Sequence, residues 1–130
     1  MSHPTLFFYP RPRVDVAEVP ALAHAGAVLL TDTIHATGLA ASLREALDSW
    51  TKPLAEHHSS KVLLDLALTL AIGGEHASDA DLLRCEPDLF GDVASAPTIS
   101  RMLTTLAEDA PAVIEAISYA RRAVRERAWA

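Results

Sequence analysis

The chain has 130 residues, a formal net charge of −6 and one cysteine. That length suits one domain, and the acidic balance argues against a free-standing nonspecific nucleic-acid binder, which normally carries a strongly basic face. A lone Cys85 excludes an intrachain disulfide, and no run approaches the roughly 18 apolar residues of a membrane span, so a cytoplasmic protein without membrane contact is expected.

Half the residues are apolar and few are aromatic, with Ala and Leu prominent. This composition favours an all-α fold: a single bundle of about six helices preceded by an extended N-terminal arm. The arm covers residues 1–16 and the helical domain 17–130. Pro4, Pro10 and Pro12 oppose helix in the arm. Leu6–Tyr9 and Val14–Val16 could each add a short strand, and with no strand partner nearby they are expected to rest on something else.

A first helix is expected from Pro20 to Ala36, with Leu22, Ala25, Leu29 and Ile34 facing the core and Gly38 as its stop. A second runs from Leu39 to Trp50, with Leu39, Leu43, Ala46, Leu47 and Trp50 on one side. Ser59 or Ser60 caps a third, which is apolar nearly all round to Ile72 and ends at Gly73–Gly74. That pattern makes it the buried central helix. Asp65 interrupts it, and a buried carboxylate needs a partner, which Lys61 or Arg84 could supply.

Ser78–Cys85 reads as a short helix with Asp79 and Asp81 near its positive end, stopped by Pro87. Asp88–Ala94 then turns the chain. A further helix begins near Ala96, with Ser95 as N-cap and Pro97 in its first turn. Ile99, Met102, Leu103 and Leu106 recur at helical spacing, leaving Ser100, Arg101, Thr104 and Thr105 opposite and Thr98 on the flank. The last helix starts at Asp109 or Pro111 and buries Val113, Ile114, Ile117 and Val124.

The stretch Ser78–Glu108 has the outline of a helix-turn-helix, although the connection from Glu86 to Ala96 is longer than the usual turn. Arg101 could meet a guanine edge or a phosphate, and Thr98, Ser100 and Thr105 sit beside it. An ordinary capped helix in a bundle explains the same pattern. Arg121, Arg122 and Arg125 belong to the densest basic cluster, a candidate for backbone phosphates. Helix-end electrostatics and an Arg122–Glu126 pair account for part of it.

None of His3, His24, His35, His57, His58 and His76 has the helical i, i+4 partner or the cysteines of a zinc site. His57–His58 is expected to be solvated and Cys85 buried or inert. No nucleophile, metal-ligand set or converging carboxylates can be read, so neither catalytic nor metal residues are assigned.

The order of these segments carries more than any one of them. Ala23–Gly26 leads into an apolar helix. Lys61–Ala67, Ala71–Gly74, Asp79–Arg84 and Ala94–Arg101 then follow in turn. This succession, over about residues 14 to 130, resembles the N-terminal region of bacterial insertion-sequence transposases of the DDE type. The resemblance implies DNA transposition with transposon-end DNA as partner, and Thr98, Ser100, Arg101 and Thr105 on the helix face are the contact candidates for it. It further implies that strand cleavage belongs to an RNase H-like domain outside this sequence, whose two Asp and one Glu hold divalent metal. The chain itself is expected to be a truncated, non-catalytic portion without a cofactor. A rival reading is a helical protein–protein module that dimerises or supports a catalytic domain without touching DNA.

Overall fold

The computed structural model describes residues 8–10 and 26–130. Seven α-helices stand among them, with no strand: α1 (Ala27–Thr37), α2 (Leu39–Leu47), α3 (Ser59–Ala71), α4 (Asp81–Arg84), α5 (Pro87–Phe90), α6 (Ala96–Ala107) and α7 (Ala110–Trp129). One-turn 3-10 segments extend α2 through Asp48–Trp50 and precede α4 at Ala77–Ala80. The all-α expectation holds, with one helix more than expected. Most of the arm, and the Pro20–Ala25 start expected for the first helix, lie outside the described residues.

The extra helix is α5. Pro87 ends nothing there: it occupies the first turn of a new helix, where its missing N–H costs no hydrogen bond. Leu89 and Phe90 are thereby carried into the core. What reads as a helix-turn-helix is therefore a 3-10 turn and α4, then α5, a short loop and α6.

Helix α2 packs most extensively along α7, which at 20 residues is about 30 Å long. Leu47, Leu106 and Val113 make a cluster at one end of this seam. The larger core gathers Ile34, Leu43, Val62, Leu64, Leu68, Leu83, Phe90 and Ile99. Two polar ties pin α7: Trp50 Nε1 donates to Asp109 Oδ2 at 3.0 Å, and an Arg127 nitrogen donates to Ser42 Oγ at 2.6 Å. The Arg127 guanidinium also covers Gly38, whose φ of +73° makes the tight corner between α1 and α2. A side chain there would be strained by the backbone and would meet the guanidinium at 3.3 Å.

Some expected core positions point outward. Leu29 is 72% exposed and Ile114 62%. In α1 the inner face is Ala27, Val28, Thr31 and Ile34, and the Thr31 hydroxyl satisfies itself on the Val28 carbonyl. Helix α3 is central, yet its all-round apolar sequence does not mean all-round burial. Leu70 is exposed, while Lys61, Asp65 and Thr69 are buried. The α3 cap is His58, whose Nδ1 accepts from the Ser60 N–H, rather than Ser59 or Ser60.

Candidate functional site

Helix α6 is held by Ile99 and Leu106, both buried, with Met102 half-buried between them. Its other side carries Ser100, Arg101, Thr104 and Thr105, all exposed, as the spacing predicts. No side chain caps the helix. Ser95 takes the extended cap conformation, and its carbonyl accepts from Ile99 N–H, but its hydroxyl donates to Thr98 Oγ1 at 3.0 Å instead. Arg101 donates to the same Thr98 oxygen at 3.1 Å. Thr104 and Thr105 turn their hydroxyl protons back onto the carbonyls of Ser100 and Arg101. One ridge results: Ser95, Thr98 and Arg101 linked in series, with Thr105 a turn further on. One of the five Arg101 N–H donors is used in holding the guanidinium in place.

The arginines of α7 form a different surface. Arg121, Arg122 and Arg125 are exposed, and Arg122 and Arg125 line a shallow hollow with Glu126 and Trp129. Arg127, their neighbour in sequence, is the pin on Ser42.

A third region was not legible in the sequence. A hollow of about 510 Å³ opens between the 8–10 segment, the loop before α3 and the turn after α5. Lys61 lies at its floor, its Nζ 2.8 and 2.6 Å from the two carboxylate oxygens of Asp65 and 3.2 Å from the Asp92 carbonyl. Tyr9 closes the pair from the other side. Its hydroxyl donates to Asp65 Oδ1 at 2.8 Å, and the ammonium stands 4.7 Å from its ring centre. Of the two partners open for Asp65, Lys61 is the one used, and Arg84 pairs with Asp81 instead. Burial pushes the Asp65 carboxyl up and the Lys61 ammonium down, each against the pull of the other's charge. Burial, then the Asp65 charge, raises the Tyr9 phenol well above its usual value.

Tyr9 is 1% exposed, so this part of the arm finds its partner inside the bundle. His35 Nε2 holds its carbonyl at 2.9 Å, and Phe8 lies between the His58 ring and the Arg44 guanidinium. His58 is not solvated either. Its Nδ1 accepts from Ser60 while its Nε2 donates to Asp48 at 3.2 Å, the pattern of a neutral imidazole. Burial lowers its pKa despite Asp48. Cys85 is exposed rather than buried.

Beside the hollow, Glu56, His57 and Asp92 bring one ligand atom each within 4.8 Å of the others. Spacing rules seek histidines on one helix or cysteine pairs, so a trio drawn from two loops about 35 residues apart escapes them. A neighbouring hollow of about 470 Å³ runs from Glu56 and His57 to Ser95 and Thr98.

No helix among the described residues is long and apolar enough to cross a membrane. No curated protein and no solved structure matches the chain. A family model described as transposase DDE domain group 1 matches residues 19–127, a span that holds the α6 ridge, the α7 arginines and the Lys61–Asp65 pair. The chain belongs to the transposase DDE domain family, group 1.

Proposed function

We propose that this chain binds DNA in transposition, as the DNA-binding or assembly portion of a transposase rather than its strand-cleaving part. The observation that carries the reading is the α6 ridge. Buried Ile99 and Leu106 fix the helix, and Thr98 orients an exposed Arg101 on its outer face. A fixed guanidinium can take a guanine edge or a phosphate, with threonine and serine hydroxyls serving phosphate oxygens. The helix N-terminus adds its partial positive charge close by. Arg121, Arg122 and Arg125 supply phosphate contacts from α7. Family membership supports the transposition role, and with it DNA as partner.

The net charge of −6 and outward-facing Leu29, Leu70 and Ile114 favour the second reading, a dimerisation or catalytic-domain contact. The two readings separate in one titration. Fluorescent terminal-repeat duplex is titrated with the wild type and Arg101→Ala at several salt concentrations. The DNA reading expects affinity that falls with salt and a loss on the order of 1–3 kcal/mol in the variant. Absence of binding at low salt would sink it in favour of the protein-contact reading.

A further inference from the structure

We propose that Glu56, His57 and Asp92 form a divalent-cation site of the imidazole–carboxylate class, suited to Zn²⁺, that fastens the loop before α3 to the turn after α5. The donor set is two carboxylates and one imidazole, a mixture that first-row transition ions accept and Mg²⁺ seldom does.

The three side chains converge, yet among the described residues none of them makes a hydrogen bond or an ion pair. The cations that line the adjoining hollows have partners of their own, although the Lys61 charge also acts on Asp92. Lys61 is held by both oxygens of Asp65, Arg84 by Asp81, and Arg44 lies over the Phe8 ring. Two exposed carboxylates and a half-buried imidazole thus face one another, and a cation arriving from solvent would meet all three as donors.

Both supporting loops are fixed from behind. The Asp92 carbonyl takes the Lys61 ammonium, and Gly91 before it has a φ of +67° with the Phe8 carbonyl 3.1 Å from where a Cβ would stand. His57 precedes the α3 cap His58, which is tied to Ser60 and Asp48. Donors on one Zn²⁺ at about 2.0–2.2 Å stand roughly 3.4 Å apart in a tetrahedron, so binding requires the present spread, within 4.8 Å, to contract. Three protein donors leave a fourth position for water, and the open hollows on either side give it room. This site does not depend on the DNA-binding reading.

Calorimetric titration of Zn²⁺ into the chelator-stripped full chain, with thermal melts of the same samples, tests the proposal. One equivalent should bind and raise the melting temperature. His57→Ala and the near-isosteric Glu56→Gln and Asp92→Asn should lose that equivalent while melting like the wild type in chelator. Cys85→Ser and His76→Ala, which remove exposed alternative ligands, should keep it. Lack of saturable binding by the wild type, or binding that survives in His57→Ala, overturns the site. Should His57→Ala not fold, the ring resonances of wild-type His57 decide instead. They shift with Zn²⁺ if the site is real, and their staying unmoved as Zn²⁺ binds overturns it.

Discussion

Lys61 and Asp65 illustrate what a single residue can disclose about its surroundings. A carboxylate inside an apolar helix demands a partner, and the i, i+4 lysine is the nearest candidate in the sequence. The third member, Tyr9, sits 56 residues away, and no local pattern leads from one to the other. Lys61→Met would leave Asp65 buried with only the tyrosine hydroxyl, so we expect a loss of about 3–5 kcal/mol in urea unfolding. Retention of wild-type stability would show that the carboxyl simply protonates. Tyr9 makes a separate prediction in alkali. Its folded pKa lies above the ordinary value of 10, so the stability it contributes is complete below pH 10 and is lost as pH rises through the folded value. Phenolate absorbance from Tyr9, taken as the difference between wild type and Tyr9→Phe, should appear only above pH 10 and together with unfolding.

Most helix ends follow from local chemistry. The starts of α6 and α7, each with a proline in the first turn, and the stops at Gly38 and Gly73–Gly74 stand where opening prolines and glycine breakers place them. Pro87 and His58 mislead for one reason: each has two uses. A proline stops one helix or opens the next, and a neutral histidine nitrogen caps as a serine oxygen does. For Pro87 the outcome depends on Phe90 finding a core, which is not local information, whereas His58 caps through the Ser60 N–H only two residues on. Within α6 the two faces should behave oppositely. Ile99→Ala should destabilise by about 2–5 kcal/mol, whereas Arg101→Ala, on the exposed face, should change chemical stability by less than about 0.5 kcal/mol. Equal losses would mean that Arg101 is a structural residue and that its conformation serves the bundle. At the α1–α2 corner, Gly38→Ala should cost on the order of 1–2 kcal/mol from the left-handed backbone.

Across the whole molecule, the sequence disclosed the fold class and the composition of the α6 face but not its neighbours. Arg127 belongs to the same basic run as Arg121, Arg122 and Arg125, yet it is spent on fastening α7 to Ser42, so charge density alone overstates the surface available to phosphate. The Glu56–His57–Asp92 trio and the hollow beside Tyr9 arise only when separate loops meet, which residue spacing does not encode. An acidic chain that binds DNA must do so through a confined patch, and the number of phosphates it neutralises should be small. The logarithm of affinity should therefore fall with the logarithm of salt at a modest slope, close to −0.9 per phosphate contact. Arg122→Ala together with Arg125→Ala should flatten that slope if α7 takes part.

The most direct test of the central claim maps the contact on the protein. Backbone amide resonances of the full chain are followed as a transposon-end duplex is added. Shifts concentrated on the Ala96–Thr105 stretch, with smaller ones at Arg121–Arg125, are the predicted result. Saturating shifts confined to other faces, with Thr98, Arg101 and Thr105 unmoved, would contradict it.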